Sequence, residues 1–261
     1  MDFGIKGRVA LVSGSGGGLG RAMAIALAAE GAQVAVCGRT EAALLETVAL
    51  IAAAGGSARA YVLDLAQPER FDDVLTAIRQ QLGPIGILVN NSGGPPPSKA
   101  SGVPAETWAT QFSTMVSSLI QLTDKVLPDM RSAGWGRVIT STSSGIVTPI
   151  PNLGMSNTLR MALVGWSKTL AGEVASEGIT VNVILPGRIA TKRLGQLDSA
   201  RAGREGISVE QVARNSAATI PLGRYGEPHE YGAVAAFLAS CQASYLTGSV
   251  IRVDGGMIPA I

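Results

Sequence analysis

The chain reads as a doubly wound α/β protein, a seven-stranded parallel sheet with helices on both faces. Three observations predict it. Short β-branched runs alternate with helical stretches, the runs are apolar along their whole length, and 46% of the 261 residues are apolar, with 33 glycines for tight turns. Strands buried on both faces lose the apolar–polar alternation of a half-exposed sheet, and strand–helix repetition sets them parallel. No Pro/Gly/Ser-rich linker or composition break divides residues 1–261, which predicts a single domain.

The elements follow in order. "RVALVS" (8–13) is a strand and leads through a glycine cluster into a helix over 18–30. "QVAVCG" (33–38) is the second strand, followed by a helix over 41–54 with Thr40 as its N-cap and Gly55 beyond its end. "ARAYVL" (58–63) precedes a helix over 68–82 opened by Pro68, whose fixed φ suits a first turn. "IGILVN" (85–90), "GRVITST" (136–142), "ITVNVIL" (179–185) and "SVIRV" (249–253) complete the strands, with a long helix over 154–173. Two segments break the rhythm: "NNSGGPPPSKASGVP" (90–104), and a polar insertion over 191–228 with a helix near 208–218. Ligands of parallel sheets bind beyond the carboxyl ends of the strands, so the insertion is expected to be a lid, with a plain surface excursion as the alternative.

Composition narrows the function. A formal charge of +2, with Lys and Arg dispersed, leaves no basic footprint for nucleic acid. Cys37 and Cys241 lack C-x-x-C spacing, which argues against a disulfide framework or zinc knuckle, and both are expected as buried thiols. The start "MDFGIKGR" has no signal-peptide core and no apolar run reaches the roughly 20 residues of a membrane span; the expectation is a soluble cytoplasmic protein. The single histidine, His229, is read as a surface residue beside a helix start, and no metal site is expected.

The junction "SGSGGGLG" places Gly14, Ser15, Gly16, Gly17, Gly18, Leu19 and Gly20 between a buried strand and a helix. Glycine allows positive φ and close backbone approach, so amides and the helix N-terminus can face a pyrophosphate. The second strand ends in Gly38 and Arg39, with no carboxylate for a ribose 2′-hydroxyl. An arginine there suits a 2′-phosphate, which makes NADP the preferred cofactor and NAD the alternative. "LDL" (63–65) ends the third strand and offers Asp64 and Leu65 to the adenine.

Together these motifs resemble the short-chain dehydrogenase/reductases over essentially the whole length. The glycine junction resembles that family's glycine motif, "NNSG" (90–93) its N-N-A-G, "LPG" (185–187) with Thr191 its P-G turn and threonine, and "YLTGSVIRVDGG" (245–256) its last strand. The resemblance implies a Rossmann fold and reversible hydride transfer between NAD(P) and an alcohol or ketone. It also implies a homo-oligomer, tetramer or dimer, with Asn91, Gly93, Pro186, Gly187, Ile189 and Thr191 at the cofactor. Within the family the chain resembles members of the 3-oxoacyl-(acyl-carrier-protein) reductase kind, which makes a 3-oxoacyl thioester one candidate substrate.

The family's active site is a serine, a tyrosine with a lysine four residues later, and often an asparagine. Ser143 in "GRVITSTSSG" stands at the serine position; the asparagine position, seven residues after Trp108, holds Met115. Counted back from Gly165, the tyrosine position is Ser156 and the lysine position Arg160. No tyrosine among Tyr61, Tyr225, Tyr231 and Tyr245 has a lysine four residues on. A phenol beside a cation can be a good acid near neutral pH; a serine hydroxyl is far weaker. Arginine can still grip a ribose but holds its proton permanently.

Three readings follow. In the preferred one, an NADP-dependent reductase uses Ser143 and Ser156 to polarise the carbonyl and Arg160 for electrostatics, with water or Tyr225 as proton source. In the second, the protein binds the dinucleotide with little or no catalysis; in the third, it has lost the cofactor, against which the intact glycines weigh. The plain alternative for Ser156 and Arg160 is a helix-start residue and a surface ion-pairing residue. Lys192, Arg193, Arg201, Arg204 and Arg214 outnumber Asp198, Glu205 and Glu210 over 192–214, an excess that suits an anionic substrate or simple solvation. Met161, Leu163, Val164, Trp166 and Leu170 form an apolar helix face for the core or for a second subunit.

Overall fold

The computed structural model describes residues 2–260. The first half alternates β1 (Val9–Val12), α1 (Gly18–Ala29), β2 (Gln33–Gly38), α2 (Glu41–Ala53), β3 (Ser57–Val62), α3 (Phe71–Leu82) and β4 (Ile85–Asn90). The second continues with α4 (Ala105–Phe112), α5 (Ser118–Ala133), β5 (Gly136–Ser141), α6 (Gly154–Val174), β6 (Ile179–Pro186), α7 (Lys192–Glu205), α8 (Val209–Ala217), α9 (Pro228–Ala239) and β7 (Val250–Val253). The seven strands form one sheet in the order β3-β2-β1-β4-β5-β6-β7, every neighbouring pair parallel.

The core lies on both faces of that sheet, as the continuous apolar strands require. Alternate side chains of a strand point to opposite faces: Ala10 and Val12 of β1 pack with Met23, Leu27, Leu44 and Tyr231 from α1, α2 and α9. Val9 and Leu11 pack with Phe71, Leu75, Leu122, Val126 and Leu170 from α3, α5 and α6. Strand order reverses between β1 and β4, so the loops after these two strands diverge and leave a crevice between them.

The ends of the expected elements lie within a residue or two of expectation, with three differences, and α4 and α5 lie where the sequence reading placed no helix. Residues 68–70 form a 3-10 turn ahead of α3, and Thr40 sits at the α2 N-cap position without a capping hydrogen bond. The 191–228 insertion carries two helices, not one. Its α8 is the expected helix, whereas α7 was hidden because only Asp198 and Ala202 of its fourteen residues are buried, too few for an apolar period. Of the two cysteines, Cys37 is buried as expected but Cys241 is exposed, in the 3-10 turn after α9. Among the described residues no helix is long and apolar enough to cross a membrane.

Candidate active site

The site is built from the turn after β1. Gly14 and Gly18 hold φ values of +62° and +54°, which L side chains rarely adopt. A β-carbon on Gly20 would lie 2.2 Å from the Gly14 carbonyl oxygen, so the turn closes only with glycine there. The turn's carbonyls are taken by the chain itself. The Asn91 Nδ2 donates to Ser13 O (3.1 Å) and Gly14 O (3.2 Å), Thr47 Oγ1 to Ser15 O (3.0 Å), and an Arg21 guanidinium nitrogen to Gly16 O (2.8 Å). Ser15 is wholly buried. Its hydroxyl donates to Val12 O (2.8 Å) and accepts from Cys37 N (2.9 Å), tying the end of β1 to the end of β2. With its carbonyls engaged, the turn leaves the unpaired first amides of α1 for an anion. Open space beyond Gly17 and Gly93, where a β-carbon would meet nothing within 4 Å, leaves room for it.

The rim of the crevice comes from neighbouring strand ends. Arg39, just past β2, is exposed and makes no ion pair among the described residues. Asp64 accepts a turn-closing bond from Ala66 N (3.0 Å) and its second oxygen has no hydrogen-bond partner among the described residues, and Leu65 packs in the cluster beneath α3. On the other side, β6 ends at Pro186 and the chain turns at Gly187, where a β-carbon would lie 2.6 Å from the Asp254 Cα. Ile189 is buried and bridges to Gly226, and Thr191 caps α7 through Leu194 N (3.2 Å). The Thr191 Cγ2 comes within 3.8 Å of the point a Gly18 β-carbon would occupy, so this turn reaches back over the glycine turn. A cleft of about 500 Å³ runs outside that contact, lined by Gly18, Arg21, Thr191, Lys192 and His229.

Ser143, Ser156 and Arg160 gather past the ends of β5 and β4. Ser143 follows β5 and its hydroxyl accepts from Gly145 N (3.1 Å). Ser156 and Arg160 stand one turn apart on the inner face of α6, each 8% exposed, so neither is a surface residue. Arg160 reaches Ser141 O (3.3 Å), Ser92 O (3.4 Å) and Gly93 O (3.5 Å), carbonyls only. Burial, together with the nearby Arg193, lowers the pKa of its guanidinium from the ordinary arginine value, and Tyr231 opposes that shift. Met115 packs with Met155 and Leu159 in an apolar cluster. It lies in a π-helical stretch, Ser113–Ser117, between α4 and α5, a distortion that often accompanies functional sites.

Among the described residues no tyrosine hydroxyl is free beside these groups. Tyr61 donates to Gln81 (3.1 Å) and Tyr225 to Asp198 (2.8 Å). Tyr231 is wholly buried, 2.9 Å from the Ser141 hydroxyl, and burial pushes its phenol well above the usual range; Tyr245 is fully exposed. Tyr225 is held in a cluster in which Arg188 pairs with Asp198 (3.0 Å) and lies over the Tyr225 ring. Burial raises the Tyr225 pKa above its ordinary value.

Two contributors escaped sequence reasoning. Asn157 accepts from Ile150 N (3.3 Å) and donates to Ile150 O (3.0 Å), clamping the loop that carries Ser143. Arg193, in the first turn of α7, donates to Pro95 O (3.2 Å) in the loop after β4. Asn157 lies next to Ser156 in sequence, yet its partner is set by the loop's path; Arg193 was noticed only as part of a basic excess. Among the described residues the Ser92 hydroxyl and the Asn90 Oδ1 are buried without partners, at the end of β4 and in the loop just after it.

The family model described as Enoyl-(Acyl carrier protein) reductase matches residues 14–258. The chain is 36% identical over 260 residues to the 3-oxoacyl-(acyl-carrier-protein) reductase FabG of Escherichia coli, covering 98% of this chain and 99% of that protein. It superposes on L-sorbose reductase from Gluconobacter frateurii, solved with NADPH and L-sorbose, with a TM-score of 0.94 at 32% identity over the whole of both chains. It superposes on YwfH, an NADPH-dependent reductase involved in bacilysin biosynthesis, with a TM-score of 0.92 at 28% identity, covering 97% of this chain and 99% of that one. The glycine turn closed against Asn91, the crevice at the strand-order reversal and this full-length similarity have one explanation: the chain belongs to the short-chain dehydrogenase/reductase family.

Proposed function

We propose that the chain is an NADP(H)-dependent oxidoreductase that moves a hydride between the nicotinamide and the carbonyl or alcohol carbon of a small molecule. The observation that carries this reading is the crevice itself: a glycine turn whose carbonyls are all taken internally, with the unpaired Arg39 at the β2 end where a 2′-phosphate would sit. Gly14, Ser15, Gly18, Leu19 and Gly20 would hold the diphosphate, Asp64 and Leu65 the adenine, and Asn91, Gly93, Pro186, Gly187, Ile189 and Thr191 the nicotinamide half. When bound, NADPH supplies the hydride. The protein's own part is to hold the carbonyl and to manage the charge that develops on its oxygen.

Ser156 and Arg160 take the tyrosine and lysine positions of the family in this reading. The Ser143 and Ser156 hydroxyls donate hydrogen bonds to the carbonyl oxygen, and the buried Arg160 steadies the growing negative charge while gripping the nicotinamide ribose. Tyr225 is spent on Asp198, so the proton arrives from water. The 191–228 segment, with α7 and α8, acts as the lid, and residues 1–261 work as a single domain. Homo-oligomerisation, as tetramer or dimer, covers the exposed Phe112 and Met161 of α4 and α6, and the unpaired Cys37 and Cys241 suit the cytoplasm.

Purified protein offered NADPH and a panel of ketones, oxo acids and 3-oxoacyl thioesters is expected to oxidise NADPH with at least one of them. NADPH binding without turnover on any carbonyl would sink the reductase reading. It would favour the second one, a dinucleotide-binding protein without catalysis, for which the lack of a free phenol speaks.

A further inference from the structure

Arg160 is an unusual object in this crevice, a guanidinium nine-tenths buried with only carbonyl oxygens for company. Among the described residues it has no carboxylate within ion-pair distance, and neither has Arg193. The nearest acid on the same helix as Arg193, Asp198, is already engaged by Arg188 and Tyr225. A buried cation without a counter-ion is costly, and the cost falls when an anion arrives. Both arginines converge on one spot. The point a Gly94 β-carbon would occupy lies 3.7 Å from a guanidinium nitrogen of Arg193 and 3.9 Å from one of Arg160. Glycine at 94 thus leaves bare a gap flanked by two positive forks.

The gap is held in place by backbone. Ser98 N donates to Asn152 O (2.9 Å) and Gly154 N to Ser98 O (2.9 Å), pinning the loop after β4 to the start of α6. Arg193 spans to Pro95 O from the α7 side, and its place in the first turn of a fourteen-residue helix adds the positive end of that helix. The diphosphate cradle is a separate place, at the glycine turn, where Thr191 rather than Arg193 makes the close approach.

We propose that Arg193, with the positive field of the buried Arg160 behind it, is a receptor for a carboxylate carried by the substrate, so that the carbonyl compound reduced here is a small oxo acid. This rests on the reductase reading above. An arginine fork matches a carboxylate with two parallel hydrogen bonds, and Arg193 fixes the acid end so that the neighbouring carbonyl faces Ser143 and Ser156. The neutral ketones and thioesters of the same size lack the group that the Arg193 fork seeks.

The test uses the full-length protein saturated with NADPH and two unreactive acid–amide pairs, oxamate against oxamide and malonate against malonamide. Binding is read from the fluorescence of the bound nicotinamide. At least one acid is expected to bind about tenfold or more tightly than its diamide, with the preference shrinking as salt is added. Arg193→Gln, an exposed position, should remove the preference and leave NADPH affinity unchanged, and Arg193→Lys should retain part of it. Gly94→Val should weaken oxamate binding without altering any charge. Equal binding of acid and diamide would overturn the proposal, as would an unchanged preference in Arg193→Gln. So would an Arg193→Gln protein that loses NADPH affinity in step with the acid, because the guanidinium would then serve the cofactor. Acid binding without turnover would uphold the receptor and sink the reductase reading; turnover of neutral ketones with indifference to the acids would do the reverse.

Discussion

At the scale of single residues, glycine and arginine decide most of the site. Gly20→Ala puts a carbon where the Gly14 carbonyl already lies, 2.2 Å away, and overpacking of that kind costs about 1–3 kcal/mol. The expected outcome is a lower melting temperature and loss of measurable NADPH binding by titration. Arg160→Ala removes a cation nine-tenths buried at the crevice floor; NADPH affinity is expected to fall by about tenfold or more, and an unchanged Kd would count against the ribose grip. Glycine spacing was legible in the sequence because the motif is local: five glycines within seven positions after a strand allow few other shapes. The convergence of Arg160 and Arg193 was not, because 33 positions separate them and only the fold of the 92–95 loop brings them together.

At the scale of elements, α9 shows how a helix start is secured. The Glu230 carboxylate accepts from Glu227 N (2.7 Å) while Glu230 N donates to Glu227 O (3.0 Å), and Arg224 grips Glu230 through two nitrogens at 2.8 Å each. The hydrogen bond from Arg224, then the backbone bond at Glu227, depresses the Glu230 carboxyl from 4.5 to about 2 in the folded protein. A depressed folded pKa stabilises above the unfolded value and is lost as pH falls through the folded one. The melting temperature should therefore drop between about pH 5 and pH 2, and Glu230→Gln should flatten that part of the curve. The strands and α1, α2, α3, α6 and α8 were legible from apolar runs and the residues that bound them, whereas α4 and α5 were not. The α7 helix was not, since its charged sequence buries only two residues and its position depends on Thr191 and on the Arg188–Asp198–Tyr225 cluster. The π-helical stretch at Ser113–Ser117 has no sequence signal at all, because it is a shift of hydrogen-bond register rather than of residue type.

At the scale of the molecule, the open outer face of α6 is the place to look for assembly. Met161 is 47% exposed, and β-carbons on Gly165 and Gly172 would meet nothing within 4 Å. Light scattering of the purified protein is expected to give a dimer or tetramer, and Met161→Arg to shift it toward smaller species. A wild-type monomer at micromolar concentration would reject that surface.

Ser15 carries one more consequence for the molecule. Its hydroxyl fastens the two strand ends together, yet the residue beyond the fastening, Arg39, hangs free in solvent. On the proposed reading, capture of the nucleotide and discrimination between its two natural forms fall to parts that can be exchanged independently. Arg39→Asp is expected to reverse the ratio of NADPH to NADH affinities while leaving the melting temperature nearly unchanged, read by parallel titrations and a thermal scan. In evolutionary terms that reading gives the chain a coenzyme socket with a replaceable key.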